Sequence, residues 1–221
     1  DLDLIVYTKS LDGNIIESDT EALLQSLLLE YFGMDLSAMV NMGNSSSLSA
    51  GMSSMSGMGS VTLWQEMLPG DNGKLVSPLL EKQYDVIYGS WPTEYNEIVV
   101  VVDENNEVDD MALYALGLKS KEAIDDLAQA AFNGTEVKAE TDSWSFEQLC
   151  DMDFRVILNS DCYTYDDSLG VYLDLRESQA GLKYLYDNGT SLKISGIIRP
   201  KEDAVASMLT GNIGYTSELT K

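Results

Sequence analysis

The chain has 221 residues, and its contents of 44% apolar and 9% aromatic residues are typical of a globular protein with a substantial core. Thirteen basic and thirty-seven acidic residues give it a formal charge of −24. Because this leaves no electropositive surface for phosphate groups, we expect no binding to nucleic acid and no electrostatic attachment to anionic membranes. Cations or cationic peptides would be attracted instead.

The start of the sequence, which lies within a predicted strand, suggests that it belongs to a longer chain. Residues 2–7 alternate like a strand, and no basic segment with an apolar core precedes them as in a signal peptide. No segment reaches the roughly 20 apolar residues that are needed to cross a bilayer. We therefore expect the sequence to be one part of a larger protein.

Short elements are predicted at the N-terminus. The strand at residues 2–7 is followed by a turn at residues 12–13 and a short hairpin arm at residues 14–16. Residues 18–21 supply helix-capping side chains, and Gly33 ends the helix that follows. The apolar stripe of this helix consists of Leu23, Leu24, Leu27, Leu28 and Tyr31.

Residues 34–60 are rich in methionine, serine and glycine. Glycine and serine at this density favour a flexible or extended loop, because ordering them costs backbone entropy. Within the loop, Met52, Met55 and Met58 recur at every third position. Three interpretations remain open: a loop without a site, an adaptable contact surface for a hydrophobic substrate or partner, and a thioether site for Cu(I).

The strongest local signal lies in residues 84–118. The β-branched run at residues 97–102 has no polar alternation and predicts a strand that is covered on both faces. A polar turn is predicted next, followed by a short helix that two aspartates open and Gly117 closes. The elements predicted in and before this region are a strand or helix edge at 61–67, a turn at 69–73, a helical turn at 76–82, the polar turn at 103–106 and the helix at 111–116.

The second half of the chain predicts an alternation of helices and strands. Ser120 caps a helix that ends at Asn133. Residues 144–158 read as paired strands, and residues 159–169 read as an acidic loop that carries tyrosines. A short strand at 171–173, a helix at 177–186 and a strand at 191–198 complete the pattern.

The sequence offers no motif for catalysis or metal binding. It contains no histidine, which excludes Ser-His-Asp and Cys-His nucleophiles as well as histidine metal sites. Cys150 and Cys162 form either a disulfide or two separate thiols, and a strand between them would hold them about 20 Å apart, which favours thiols. The acidic turn at residues 103–107 lacks the glycine and the terminal glutamate of an EF-hand. Paired carboxylates of a glycan hydrolase remain an alternative without any motif, so we expect no enzyme.

Several segments resemble a single protein family. The segments are QYDVIYGSWP at residues 83–92, NEIV at 96–99, ALG at 115–117 and LKISGIIRP at 192–200. They are similar to the signature of the MacB-like periplasmic core domain, the extracytoplasmic domain of FtsX/MacB-type ABC transporter permeases. Ser90 departs from it, since the family commonly has arginine or lysine there. GNIGYT at residues 211–216 fits the tail of Gram-positive members, and the segments follow the family's order.

The resemblance implies an α+β fold in two parts. A porter-like βαβ subdomain would consist of residues 1–82 plus 201–221 and carry the loop at 34–60. A mixed α/β subdomain of the Sabre-like type would be inserted at residues 83–200. The motif residues are expected to determine the fold rather than to bind a ligand, and they are Tyr84, Asp85, Gly89, Trp91, Pro92, Glu97, Gly117, Gly196, Arg199 and Pro200.

The resemblance also implies a function. The chain would be the non-catalytic extracellular domain of a bacterial ABC transporter permease in the cell membrane, coupling ATP-driven motion to the export or release of a peptide, lipid or toxin. Membrane helices would lie before Asp1 and beyond Lys221, and the partners would be an ABC ATPase and a second permease copy. ATP would be bound by the ATPase, so this domain needs no cofactor. The alternative is a free-standing secreted ligand-binding module.

Overall fold

A computed structural model describes residues 5–9, 15–18, 23, 26–27, 63–133, 143–202, 204, 208–209 and 211–221. These residues form an α+β fold that is built on a mixed sheet, as predicted. The methionine-rich loop with Met52, Met55 and Met58 lies outside the described residues, as does most of the predicted N-terminal helix.

Ten strands and five α-helices lie within the described part of the chain. The strands are β1 Ile5–Lys9, β2 Ile15–Ser18, β3 Trp64–Glu66, β4 Tyr84–Gly89, β5 Glu97–Val101, β6 Phe154–Ile157, β7 Tyr163–Asp166, β8 Val171–Asp174, β9 Thr190–Pro200 and β10 Ile213–Tyr215. The helices are α1 Pro78–Gln83, α2 Asp110–Ala115, α3 Lys121–Asn133, α4 Phe146–Cys150 and α5 Gln179–Asn188. Single 3-10 turns occur at Asp71–Gly73, Asn159–Cys162 and Leu175–Glu177.

The long strand β9 organises the sheet. It pairs antiparallel with β6 through its first residues, parallel with β5 through its middle, and antiparallel with β4 through its end. β1 and β2 extend the sheet beyond β6, whereas β10 and β3 extend it beyond β5. β7 and β8 form a separate two-stranded hairpin. One end of β9 is therefore linked through β6 to the N-terminal strands, and its other end pairs with β4.

Strand β5 is buried on both faces, as its β-branched sequence predicts. Ile98, Val99 and Val100 are each 0% exposed. Ile98 and Val100 belong to one apolar cluster, together with residues of α2, α4 and β6, while Val99 belongs to a second cluster on the other face. The alternation of the strand therefore divides the core into two layers.

The turn and the helix after β5 are also confirmed. The Asp103 carboxylate accepts hydrogen bonds from the amides of Asn105, at 2.8 Å, and Glu107, at 2.7 Å. The side chain of Asp109 caps the first turn of α2. Gly117 closes this helix with φ +67°, and its amide donates to the Tyr114 carbonyl, as in a Schellman motif.

Three further helices begin at the capping residues that local sequence indicates. Ser77 accepts a bond from the Leu79 amide at the start of α1, and Ser120 accepts one from the Ala123 amide at the start of α3. Ser178 caps α5, which begins two residues later than the predicted start at Glu177. Serine oxygens satisfy amides that have no partner within the helix, so these starts are encoded locally.

The prediction of paired strands at residues 144–158 is wrong in its first half. This part forms helix α4, and only Phe154–Ile157 is a strand. The Ser145 side chain accepts from the Gln148 amide at 3.1 Å, while the Gln148 side chain accepts from the Ser145 amide at 2.8 Å. This capping box satisfies two amides reciprocally and favours a helix over a strand.

The prediction of a loop at residues 159–169 is also wrong. A 3-10 turn at Asn159–Cys162 leads directly into strand β7, which pairs with β8 from Tyr163 opposite Asp174 to Asp166 opposite Val171. The acidic composition concealed this strand, because both faces of the hairpin carry exposed side chains and no core-facing alternation remains.

The division into two subdomains remains a prediction. Strands from both predicted parts lie in one sheet, since β1 pairs with β6 and β10 pairs with β5. Within the ranges that the structure describes, no helix combines the length and the apolar character needed to cross a membrane.

Candidate functional site

Nine of the ten motif residues lie along β4, β5 and β9 and in the β4–β5 loop, and the tenth, Gly117, closes helix α2. In the register of β4 with β9, Tyr84 lies opposite Pro200, Asp85 opposite Arg199, and Gly89 opposite Gly196. The two segments of the motif that are most distant in sequence are therefore direct neighbours in the sheet. No sequence pattern in the chain indicated this pairing.

The two opposed glycines allow a close approach of backbones. Gly89 has φ +71°, and a Cβ atom at this position would lie 2.1 Å from the Ser195 carbonyl oxygen. A Cβ atom on Gly196 would lie 2.4 Å from the Ser90 carbonyl oxygen. The Ser90 amide donates to the Ser195 carbonyl at 2.8 Å across this gap. Both positions therefore require glycine for steric reasons, and Gly89 also for its positive φ.

The loop between β4 and β5 is closed by the Glu97 carboxylate. One of its oxygens accepts from the Thr93 amide at 2.6 Å, from the Thr93 hydroxyl at 3.2 Å and from the Glu94 amide at 3.0 Å. Pro92 is buried, and Trp91 packs against the apolar cluster that contains Tyr84. The contacts of these residues hold the loop at the start of β5.

Replacing Glu97 by alanine is expected to lower the free energy of unfolding by about 1–2 kcal/mol, because the Thr93 and Glu94 amides lose their shared acceptor. Glu97→Gln retains one side-chain oxygen and should cost less than half as much. Urea denaturation would measure both changes. Glu94→Ala removes an exposed carboxylate from the same loop and is the control; an equal loss in that variant would contradict the assigned bonds.

Two further motif residues connect β4 to the C-terminal segment. The buried Tyr84 hydroxyl donates to the Leu209 carbonyl at 3.1 Å and accepts from the Leu209 amide at 3.0 Å. Asp85 lies 3.7 Å from the Lys201 ammonium. At the end of β9, Arg199 donates to the Asn106 side chain at 3.1 Å. The contacts of these residues are structural in kind.

Outside this motif region, residues 163–174 form an exposed hairpin that we call the tyrosine hairpin. Tyr165 and Tyr172 are cross-strand partners whose ring centroids lie 5.1 Å apart, and the Arg176 guanidinium lies 5.4 Å from the centroid of Tyr163. The side chains of Tyr172 and Tyr165 are 72% and 52% exposed. The large apolar side chains exposed in the hairpin are Tyr163, Tyr165, Leu169, Val171, Tyr172 and Leu173.

A groove of about 720 Å³ lies at the base of the tyrosine hairpin. It runs between the start of β7 and helix α5, and the exposed Leu158 and Tyr184 lie on it with Tyr163. Of its fourteen lining residues none is basic, and Asp161 is the only acidic one. Tyr163 lines the groove and lies on the same hairpin face as Tyr165 and Tyr172, so this tyrosine face adjoins the groove. Asp161 and the turn residues Asp166 and Asp167 form its acidic margin.

Two carboxylates of the tyrosine hairpin have lowered pKa values. Asp166 accepts hydrogen bonds from the Ser168 hydroxyl and amide and from the Leu169 amide, which lower its pKa. Asp174 forms a bidentate pair with Arg176 at 2.6 and 2.9 Å, and these bonds lower the pKa of Asp174. Both carboxylates therefore stay ionised at any pH near neutrality.

The hairpin turn should lose stability in acid, because the hydrogen bonds to Asp166 favour its ionised form. Because the pKa of Asp166 is lowered in the folded state, its contribution to stability is complete above the ordinary aspartate pKa of about 3.9. This contribution is lost as the pH falls from there through the folded-state pKa. NMR signals of the Ser168 and Leu169 amides should shift over that range. Asp166→Asn should abolish the shift while Asp167→Asn leaves it; a shift that persists in Asp166→Asn would contradict this assignment.

Cys150 and Cys162 form no disulfide. Cys162 is buried, and its sulfur lies 3.9 Å from the Tyr7 hydroxyl. Burial and the neighbouring Asp151 raise the pKa of the half-buried Cys150 thiol, so it is a poor nucleophile. Neither cysteine is positioned as a catalytic group.

The described residues show no group of three or more cysteine, aspartate and glutamate side chains that is arranged to hold a metal ion. Comparison with known protein families, with curated proteins and with solved structures found no match to this chain.

Proposed function

We propose that this chain is the non-catalytic extracellular domain of an ABC transporter permease of the FtsX/MacB type. Its division into a porter-like part and an inserted Sabre-like part belongs to the same proposal. The domain would carry ATP-driven motion of flanking membrane helices to an extracytoplasmic substrate or partner.

One observation carries the proposal. The motif segments around Tyr84–Gly89 and Gly196 are far apart in sequence, but they pair across β4 and β9, with one register shift between Val86 and Tyr88. Chance matches to a motif have no reason to pair in register. The matched glycines also meet at the closest backbone approach, where a side chain is excluded.

The sheet offers a route for mechanical coupling. Strand β9 bonds to β4, β5 and β6, and through them to β1 near the N-terminus and β10 near the C-terminus. A displacement applied to either terminal segment would be transmitted through continuous backbone hydrogen bonds. Two arrangements of the domain, biased by the nucleotide state of the ATPase, would complete the mechanism.

The experiment uses the full-length protein that the gene encodes. Fractionation of cells should place it in the membrane, with residues 1–221 accessible to protease added outside intact cells and with an ATPase that co-purifies. Recovery of the protein from the culture medium without a membrane-spanning segment would overturn the proposal and favour the secreted binding module.

Coupling is tested in reconstituted complexes. A spin label on Glu104→Cys, in a Cys150→Ser background with Cys162 buried, reports the distance between two permease copies. The distance distribution should differ between the nucleotide-free and the ATP-bound state. Identical distributions in a complex that hydrolyses ATP would contradict a coupling role.

A further inference from the structure

We propose that the tyrosine hairpin and the groove at its base form a docking surface for a basic polypeptide segment that also carries apolar side chains. This surface lies outside the motif region. The inference does not depend on the proposed transport function, because it rests on the shape and the charge of the hairpin alone.

The surface exposes several large apolar side chains close together. Tyr163, Tyr165 and Tyr172 are exposed together on one face of the hairpin, and the exposed Leu158 and Tyr184 line the groove with Tyr163. Exposed apolar side chains that occur singly need no explanation, but a contiguous set of this kind marks an interaction site. Tyrosine is also enriched in protein interfaces, because it offers large contact area at a low entropic cost.

The charge of the surface selects the partner. Residues 158–177 contain five acidic residues, Asp161, Asp166, Asp167, Asp174 and Glu177, and one basic residue, Arg176. Arg176 and Asp174 form an ion pair and offset each other, which leaves four acidic side chains to attract a ligand. A lysine- or arginine-rich segment would find complementary charge at the margin and cation–π partners in the tyrosine rings.

A polypeptide fits this surface better than a lipid bilayer or a glycan. An anionic bilayer would be repelled by the acidic margin. Within the described chain, β7 and β8 pair only with each other, so each presents an outer edge of backbone groups to which an extended peptide could add a strand. A neutral glycan could stack on the tyrosine rings and donate hydroxyl hydrogen bonds to the carboxylates, but it carries no positive charge to complement them.

The test measures binding of a fluorescein-labelled peptide of alternating lysine and leucine to the complete 221-residue chain by fluorescence anisotropy. The peptide should bind, and raising the salt concentration from about 50 to about 500 mM should weaken binding severalfold. An alternating lysine–serine peptide of the same charge should bind at least about tenfold more weakly, since it lacks the apolar side chains.

Two pairs of substitutions locate the binding site. Tyr165→Ser with Tyr172→Ser, and Asp161→Lys with Asp167→Lys, should each weaken binding at least about tenfold. The charge-reversal pair leaves the tyrosine ladder intact, so it tests the surface even if the first pair disturbs the hairpin.

The controls lie at the opposite end of β9, about 30 Å from the groove. Glu81→Lys with Glu104→Lys changes the net charge equally, and Leu79→Ser removes an equally exposed apolar side chain. Binding that these controls weaken as much as the hairpin variants would overturn the proposal, because it would reflect only the overall charge. Failure of the peptide to bind, or binding of a neutral glucan oligosaccharide instead, would also overturn it.

Discussion

Replacing Gly89 by alanine is expected to lower the free energy of unfolding by about 3–5 kcal/mol, one of the largest effects of any single substitution in the chain. Alanine at φ +71° costs about 1–2 kcal/mol by itself. The added Cβ would also lie 2.1 Å from the Ser195 carbonyl oxygen, which is fixed in the central strand β9 and cannot rotate away. Denaturation by urea, followed by circular dichroism, would measure the loss.

Two other glycines separate these contributions. Gly73 has φ +79° with nothing within 4 Å of a Cβ position, so Gly73→Ala should cost only the conformational term of about 1 kcal/mol. Gly196→Ala introduces a Cβ at 2.4 Å from the Ser90 carbonyl oxygen without a positive φ, and should cost about 2–3 kcal/mol. Equal losses in Gly73→Ala and Gly89→Ala would show that the close approach of β4 to β9 is not a constraint.

The order of these three costs bears on the proposed function. If β4 and β9 must approach closely for the sheet to form, then the glycines of the motif are requirements of the fold. They would then identify the fold without marking a binding site, and a ligand surface must lie elsewhere. The tyrosine hairpin is the surface that we propose, and it shares none of the motif residues.

Elements whose requirements are local could be predicted from the sequence. The strand β5 follows from a β-branched run, and the turn after it follows from Asp103, whose carboxylate bonds to amides two and four residues later. The end of α2 follows from Gly117, because a positive φ at a helix end favours glycine. In each case the residues that define the structure lie within a few positions of one another.

Elements that depend on distant partners could not be predicted. The sequence gives no sign that Gly89 lies opposite Gly196. These glycines meet because β4 pairs with β9, and all elements from β5 to α5 lie between these two strands in the chain. Strand β7 was concealed for a related reason: its partner is β8 alone, and neither strand has a buried face with the alternation that indicates one. Helix α4 could have been predicted, since Ser145 and Gln148 have the spacing of a capping box.

The contact surface suggested by the sequence remains an untested prediction. Sequence reasoning favoured Met52, Met55 and Met58, which lie outside the described residues. Tyr163, Tyr165 and Tyr172 carried a usable signal, because three tyrosines and several aspartates within a short segment combine aromatic area with charge. Whether these tyrosines are buried in a core or exposed at a surface depends on the fold, so the sequence alone could not decide it.

The second large effect concerns the contact between helix α2 and strand β1. The buried Thr8 hydroxyl donates to the Leu116 carbonyl at 3.1 Å, satisfying a carbonyl at the helix end. A Cβ atom on Gly117, which has φ +67°, would lie 2.8 Å from the Thr8 Oγ1 atom. We expect Gly117→Ala to lower the free energy of unfolding by about 2–4 kcal/mol and Thr8→Ala to lower it by about 1–2 kcal/mol.

The two substitutions should not be additive, because they act on the same contact. Thr8→Ala removes the oxygen that obstructs the new methyl group, so the double variant should lose about 1 kcal/mol less than the sum of the single losses. Thr8→Ser keeps this oxygen and should give no such relief when combined with Gly117→Ala. Additive losses in both combinations would mean that α2 does not rest on β1. The N-terminal strand would then act on the sheet through its pairing with β6, and not on α2 through Thr8.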